Sequence, residues 1–497
     1  MEEPINLIPY NADALRENET YLDHTGTTLY AQSALTSFIN KMSSNLFGNP
    51  HSDSRSSRLS TERVDEIRKQ TLAFFHADPE HFDLVFAMNA TAAIKLVLEG
   101  LTHPPVSDSP GKTFKGPGLW VGYHLESHTS VVGLRELAAA GQHCFMSDSE
   151  VEAWIRPNPA RDKTDRCPVQ TSNTFQVGLF AYPARSNMTG RRLPLHWPGR
   201  LRQSQYASHQ RVFTLLDAAA LAPTASLDCF RDPNGAPDFT AVSFYKIFGF
   251  PDLGGLIRPY FGGGTVELVT CSDHPWHSRN PSRIHEILED GTVPSHSILA
   301  LGCALTTHKQ LYTSQEHVSH HTTRLTAHLY QSLSSLRHHN SVKVCEIYQD
   351  PPAEYGDKAA NEHRIHLRTG SVCNPGGLAK LLQLEEWELF QNYTAEVRCG
   401  CRSVLVGHKP SGIIRVSLGA IEHPERCRAF YRICAPSVRC RRRSSPGASK
   451  GSILHQDHAP RLLLLQPMVD AVHGILRISV HHSLRRRNTT NSGNRWL

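Results

Sequence analysis

The amino-acid sequence predicts an α/β protein, on three observations. Between about residues 80 and 300, short β-rich apolar runs alternate with segments of helical period. Polar residues able to do chemistry stand at the ends of those runs. A second, smaller alternation of the same kind follows and ends near residue 433. Taken in order, LVFAMN (84–89) reads as a strand and TAAIKLVLEGL (91–101) as a helix with apolar residues repeating at three and four. HPPVSDSPGKTFKGPG (103–118) is a surface insertion rich in Pro, Gly and Ser. GLWVGYHL (118–125) is the next strand and TSVVGLRELAAAG (129–141) the next helix. TFQVGLFAY (174–182), RVFTLLDAA (211–219) and FTAVSFYK (239–246) continue the strand series. In the second region Val318, Leu325, Leu329, Leu333 and Leu336 form a helical stripe. SVKVCEIY (341–348), RIHLRT (364–369) and GIIRVSLG (412–419) read as strands there, and LAKLLQLEEWELF (378–390) as a helix. No repeat of solenoid period is present.

Composition narrows the class. With 39% apolar and 20% charged residues in 497, the chain is of globular type. No run approaches the roughly 20 apolar residues of a membrane span. MEEPINLIPYNADAL lacks the basic and apolar regions of a signal peptide, so the twelve cysteines read as reduced thiols. A cytoplasmic location is therefore expected. The net charge of +6 is unevenly placed: residues 426–497 hold fourteen Lys and Arg against Asp457 and Asp470, and the remainder is net acidic by six. That basic end lacks the interleaved aromatics of a nucleic-acid platform, so no nucleic-acid partner is expected.

Several motif matches fail. Gly111-Lys112-Thr113 resembles the end of a phosphate loop, but Val106 stands where its first glycine belongs. Gly447-Ala448-Ser449-Lys450-Gly451 has the spelling of a nucleophile elbow without a strand before it. Cys399, Cys401, Cys427, Cys434 and Cys440 lack paired zinc-ligand spacing, and no metal site is expected.

What remains is an ordered set of polar residues. Asp217 ends the apolar run RVFTLL, where a carboxylate is costly unless a cation partners it. Taken alone it reads as a helix cap. Lys246 closes the run SFYK, and taken alone it reads as a solvated strand end. Together they match the polar anchors of pyridoxal phosphate, a lysine for the aldehyde carbon and an aspartate for the pyridine nitrogen. Asn89-Ala90-Thr91 turns a strand into a helix and offers N–H groups and a hydroxyl to a phosphate. His128 opens the next helix, where it can stack over a planar ring or simply cap.

Nine segments then carry a resemblance. YLDHTGTTLYAQSAL (21–35), NLFGNPHS (45–52), FAMNATAAIKLV (86–97), HTSVVGLREL (128–137) and LLDAAALAPTASLD (215–228) are five of them. SFYKIFGF (243–250), EDGTVPSHSILAL (289–301), RTGSVCNPGG (368–377) and SGIIRVSLG (411–419) complete the set. Together they resemble the aminotransferase-like, class-V domain of the molybdenum cofactor sulfurases, the fungal branch in particular, from about residue 15 to 430. The resemblance implies the fold of pyridoxal-phosphate enzymes of fold type I, with a mixed, mostly parallel seven-stranded sheet in a large domain and a smaller α/β domain. It implies an N-terminal segment (1–45) packed with the small domain, a cofactor-binding domain (46–305), a small domain (306–433) and an unstructured basic tail (434–497). Lys246 resembles the Schiff-base lysine, Asp217 the partner of the pyridine nitrogen and His128 the stacking residue. Thr91 and Ser243 match phosphate contacts, Asn187 the contact near the phenolic oxygen, and Thr292 a phosphate ligand supplied across a homodimer. Arg415 and His24 fall at substrate-binding positions, Arg415 as the clamp on an α-carboxylate. Cys373 falls at the persulfide-forming nucleophile.

The resemblance implies desulfuration of L-cysteine to L-alanine, with sulfur passing through Cys373 to the molybdenum cofactor of xanthine dehydrogenase and aldehyde oxidase. A thiolate nucleophile calls for positive charge or a helix dipole beside Cys373. The Pro and glycines after it are expected to let the loop move. The resemblance stops near residue 434, so the β-rich molybdenum-cofactor domain of the family is not expected within these residues, and VRCGCRS (397–403) departs from the family pattern. A general cysteine desulfurase serving other acceptors, and a non-catalytic interaction protein on the same fold, are the alternatives.

Overall fold

The computed structural model describes residues 20–50, 52–102, 118–156, 177–204, 209–255, 292–338, 365–394, 413–420 and 424–434. It also describes short pieces at 266–269, 277–279, 285, 289, 341, 343–346, 405–406, 409–410, 422, 475–477 and 479–480. The insertion expected at 103–118 and the departing segment at 397–403 lie almost wholly outside these residues, as does most of the basic tail.

The first strand, β1 (Thr20–Tyr21), precedes helices α1 (Gln32–Ser44) and α2 (Arg55–Phe74). Strand β2 (Phe86–Ala87) leads into α3 (Ala90–Thr102). Then come β3 (Leu119–His124), the short helix α4 (Thr129–Val132), β4 (Gln142–Phe145) and α5 (Asp148–Ile155). They are followed by β5 (Val177–Pro183), α6 (Trp197–Arg202), β6 (Val212–Asp217), β7 (Phe239–Ala241), α7 (Phe244–Phe248) and β8 (Gly254–Gly255). Five strands form one sheet in the order β4-β3-β5-β6-β7, all parallel. The pair β2–β8 is antiparallel and forms a two-stranded sheet of its own, as do Val266–Val269 and His277–Arg279, so the described residues give a five-stranded parallel sheet in place of the seven-stranded one expected.

The parallel strands are apolar almost throughout because helices cover both faces. Period-2 alternation decides which face each residue takes. In β5, Leu179 and Ala181 pack with Ala93, Ile94 and Val97 of α3. Phe180 and Tyr182 turn to the opposite face, into a cluster with Trp120, Phe145, Trp154 and Trp197. Ring centroids there lie 5.0–6.0 Å apart, at tilted or edge-on angles except for the stacked Phe180–Tyr182 pair.

Several expectations need correction. The segment 239–246 is not one strand: β7 ends at Ala241, and Lys246 sits within the helix α7. The helix expected over 129–141 stops at Val132, tightens to a 3-10 turn over Gly133–Leu137 and ends where Gly141 adopts φ +103°. Strand β4 follows at once, and then α5, opened by a reciprocal cap. Ser147 Oγ accepts from Glu150 N at 3.2 Å, while a Glu150 carboxylate oxygen accepts from Met146 N at 2.6 Å.

Further along, α8 (Ser295–Tyr312) packs on α1, α2 and α7. Helix α9 (Gln315–Ser334) carries the expected stripe, and Leu325, Leu329 and Leu333 pack with Leu22, Val416, Leu418 and Phe430 in a second core. Strand β9 (Ile365–His366) pairs in parallel with β1, so the N-terminal segment is a strand of this unit. Strand β10 (Arg368–Gly370) pairs antiparallel with β11 (Ile413–Ser417). The helix expected over 378–390 is two, α10 (Pro375–Leu382) and α11 (Glu386–Thr394), because Gln383 turns to φ +50°. Within the basic end, Ile475–Arg477 pairs with β11 and Ser479–Val480 with Cys345–Glu346, so those residues join the sheet system. The described residues contain no helix long and apolar enough to cross a membrane.

His308 lies in α8 edge-on to Phe74, Phe248 and Tyr312, and burial pushes its pKa down to about 4. An unfolded histidine titrates near 6.5, so between these values the unfolded state binds more protons and stability falls as pH falls. His209, also lowered to about 4 by burial, acts in the same direction. His308→Phe is expected to reduce the loss of stability between pH 7 and pH 4 by about 2–3 kcal/mol, read from urea unfolding at the two pH values. An unaltered pH dependence would contradict it.

Candidate active site

The carboxyl ends of parallel strands leave a crevice where chains diverge, and the expected residues collect there. Asp217 is the last residue of β6, buried, with Oδ1 accepting from Ala219 N at 3.1 Å. Lys246 follows β7 in α7, a helix of five residues that Gly249 ends at φ +75°. A side chain on Gly249 would meet the backbone of Leu29 and Tyr30 at 2.4–2.5 Å, so glycine is required both for the turn and for this close approach. Burial first, then the charges of Arg415 and Arg368, lower the Lys246 pKa below the ordinary lysine value, against Asp217 and Asp23. His128 caps α4, with Nδ1 accepting from Ser130 N at 3.1 Å. Its pKa is lowered by burial and by Lys246, Arg368 and Arg415, against the opposing pull of Asp217. These shared influences put His128, Asp217, Lys246, Arg368 and Arg415 in one electrostatic neighbourhood.

Hydroxyls and backbone donors gather at the start of α3. Ala90 N donates to Ser243 Oγ at 3.4 Å, and Thr91 Oγ1 and Ser130 Oγ are 2.7 Å apart. Asn89 caps the helix through Oδ1, which accepts from Ala92 N at 2.9 Å. Gly254 of β8 lies so close that a Cβ there would meet Asn89 Cα at 2.6 Å.

The cysteine loop closes the other side. Val372 and Cys373 adopt φ of +42° and +57°, a conformation that costs non-glycine residues energy. Three contacts hold it. Asn187 Nδ2 donates to Val372 O at 2.6 Å, Thr129 N donates to Cys373 O at 2.9 Å, and Asn374 Nδ2 donates to Glu126 O at 2.9 Å. Asn374 Oδ1 accepts from Gly377 N at 2.9 Å and so caps α10. The Pro and glycines expected to loosen this loop instead form the first turn of α10, with Pro375 at its start. A Cβ on Gly376 would meet Leu125 O at 2.4 Å, so that residue allows contact rather than motion. The Arg368 Nη2 lies 3.7 Å from Cys373 Sγ, the positive neighbour that a reactive thiol calls for.

Arg415, in β11, is almost completely buried. Its Nη2 donates to Asp23 Oδ1 at 2.5 Å and its Nη1 to Asn187 O at 3.2 Å. Asn187 therefore touches both the Cys373 loop and Arg415. Both nitrogens of His24 are engaged within the protein, with Thr28 Oγ1 at 2.8 Å and Glu422 Oε1 at 2.9 Å. It borders a small cavity shared with Lys246, Thr28, Ala220 and Gly419. Thr292 is exposed on a rim beside Phe47 and Asn49, separate from the cluster around Lys246. The residues just before it are anchored by a two-pronged Arg68–Glu289 pair, both contacts 2.8 Å, and by His285 on Asp83.

Sequence reasoning missed Asp23, Arg368 and Asn374. All three lay inside segments quoted for the resemblance, but a lone charge or amide in a polar run carries no signal of its partner. It missed as well the network beneath Asn374. There Arg191 binds Glu126 at 2.8 Å and Asp148 at 2.6 Å, and His124 lies 3.2 Å from Asp148. Burial would raise the Glu126 pKa, yet Arg191 and hydrogen bonds from Thr189 and Ser186 outweigh it and hold the carboxyl low.

Three comparisons relate the chain to known proteins. Residues 20–114 match the class-V aminotransferase family model. The chain is 44% identical to the molybdenum cofactor sulfurase of Aspergillus fumigatus over 467 residues, covering 85% of this chain and 53% of that protein. It is 38% identical to the Aspergillus niger molybdenum cofactor sulfurase, covering 95% and 66%. Thus the chain spans between half and two thirds of the length of these relatives. Among solved structures it is similar to an apo cysteine desulfurase from Thermococcus onnurineus, with TM-score 0.59, 18% identity and coverage of 84% and 94%. The Escherichia coli cysteine desulfurase CsdA gives TM-score 0.59, 16% identity and coverage of 85% and 96%. At these identities the solved structures speak to the fold alone, which is that of fold type I.

Asn374 is fully buried and supports the cysteine loop from both sides. Asn374→Asp keeps the acceptor for Gly377 but removes the donor to Glu126 O and Asn187 Oδ1. It is expected to raise the rate of Cys373 alkylation by iodoacetamide several-fold and to lower stability by about 1–3 kcal/mol. An alkylation rate equal to that of the unsubstituted chain would show that the loop stands without this support.

Proposed function

Starting from a chain homologous to the fungal molybdenum cofactor sulfurases, we propose that it is a pyridoxal-phosphate-dependent cysteine desulfurase unit of their kind. It takes the sulfur of L-cysteine onto Cys373 and releases L-alanine. The observation that carries this reading is a half-buried lysine and a cysteine loop meeting around the same two arginines, from segments far apart in sequence.

The residues present fit the cofactor. Lys246 offers an amine held below the ordinary lysine pKa, so more of it is unprotonated and able to condense with an aldehyde near neutral pH. Asp217 offers a carboxylate on the sheet side, His128 a ring, and the start of α3 offers N–H groups with the hydroxyls of Thr91, Ser130 and Ser243 to a phosphate. When bound, pyridoxal phosphate supplies the electron sink that labilises bonds at the substrate α- and β-carbons.

The chain's own groups do the rest. Arg415 binds the substrate α-carboxylate, and its rigid setting against Asp23 and Asn187 fixes the amino acid's orientation. Lys246 would be the group that moves protons at the substrate α-carbon when the cofactor is bound. The Cys373 thiolate attacks the substrate sulfur; the new S–S bond forms as the substrate C–S bond breaks, and the electron pair left on carbon is protonated. Cysteine and the Cys373 thiol thereby give alanine and a Cys373 persulfide, with atoms and charge in balance.

The sulfur is destined for the molybdenum cofactor of xanthine dehydrogenase and aldehyde oxidase, the chain acts in the cytoplasm, and Thr292 serves the second subunit of a homodimer. Because the chain spans only part of its relatives, a role as a general cysteine desulfurase for other acceptors is the second reading, and a panel of acceptor proteins separates the two.

The test is L-alanine formation from L-cysteine by the cofactor-loaded 497-residue chain. Alanine is expected from the unsubstituted chain, and both Cys373→Ala and Lys246→Ala should lose more than about 100-fold of the rate. A cofactor-loaded chain that makes no alanine would overturn the reading and leave a non-catalytic interaction protein.

A further inference from the structure

Arg368 and Arg415 are direct partners across the antiparallel pair β10–β11. Residues so placed share a face of the sheet, and like charges there repel unless an anion lies with them. Asp23 supplies one, bound to Arg415 at 2.5 Å. Two guanidiniums and one carboxylate leave one positive charge over. The Nε of Arg415 is buried without a hydrogen-bond partner among the described residues, so one donor of the pair still lacks an acceptor. Cys373 lies beside the same pair, its Sγ 3.7 Å from Arg368 Nη2 and within electrostatic reach of Arg415. Val372 and Cys373 keep left-handed backbone angles there under three hydrogen bonds, so the sulfur's place against the pair is fixed rather than casual.

We propose that Arg368 is a further substrate-binding residue: with Arg415 it forms a paired-guanidinium cradle that takes one carboxylate beside the Cys373 sulfur. The inference rests on the function proposed above only for the identity of that carboxylate, the α-carboxylate of L-cysteine. The cradle selects small carboxylate-bearing thiols and disfavours the corresponding amides and esters, which bring no charge to neutralise.

Iodoacetate and iodoacetamide test this directly. In each, the Cys373 thiolate forms an S–C bond as the C–I bond breaks and iodide leaves, and the two reagents differ by a carboxylate. The rate of each is measured on the full chain by mass spectrometry of the peptide carrying Cys373, and the ratio of the two is compared with the same ratio for glutathione. Iodoacetamide alone reports the availability of the thiolate; the ratio reports the cradle. The ratio at Cys373 is expected to exceed that of glutathione by about tenfold, the scale of one charge-assisted hydrogen bond, to fall by about that factor in Arg368→Gln, and to be partly kept in Arg368→Lys.

A ratio equal to that of glutathione would overturn the proposal. So would an unchanged ratio in Arg368→Gln, or an equal fall in the Gln and Lys variants, which would mark a structural role. Alkylation requires neither cofactor nor turnover, so the outcomes separate. A charge-dependent ratio in a chain that makes no alanine keeps the cradle and removes the desulfurase reading. Alanine formation with an indifferent ratio does the reverse.

Discussion

Everything at this site depends on the burial of one guanidinium. Taking Arg415 out of water costs several kcal/mol, on the order found for any buried ion, and a well-placed anion is what offsets that cost. Asp23 provides the anion from the other end of the chain, 392 residues away. The same approach brings Ser417 N to Leu22 O at 2.7 Å, Thr25 N to Ser417 Oγ at 3.0 Å and His24 to Glu422. The N-terminal segment is thus a structural part of the C-terminal unit, and neither end of the chain can place Arg415 without the other. Contacts of such sequence separation carry a loop-closure cost that the contacts themselves must offset.

A second constraint comes from below. The sheet offers a rigid floor, with aromatic side chains stacked under β3 and β5, and on it Arg191 ties Glu126 to Asp148. Glu126 in turn presents its backbone carbonyl to Asn374. The path from the floor to Cys373 therefore runs through ion-paired and hydrogen-bonded groups. A half-satisfied network of this kind would be a liability in a low-dielectric interior; a closed one specifies a single arrangement.

The central sheet was legible because its strands are covered on both faces and read as unbroken apolar runs. Asp217 and His128 were legible because they interrupt or follow such runs. Strand β4 escaped notice because Gln142 is exposed and the segment has four residues with little pattern. The placement of Lys246 was misread for a different reason: FTAVSFYK reads as one β-rich run, but the strand ends at Ala241 and a five-residue helix starts at Phe244, too short to show a helical period before Gly249 ends it. Asp23 and Arg368 illustrate the limit of local reading. Each looks like an ordinary surface charge, and each acquires its meaning from a strand register that pairs it with residues far away. The fold's class lives in local periodicity, whereas the charge balance of the site lives in topology.

The loop around Cys373 has a bearing on delivery. The carbonyls of Val372 and Cys373 are both tied down, and the residue after them is locked into a helix cap. Little backbone is left to swing, so a sulfur carried on this side chain moves only by rotation about the side chain's own bonds. In the proposed reaction the traffic therefore runs the other way. The cargo waits at a fixed berth, and whatever collects it must be slender enough to reach down between two arginines.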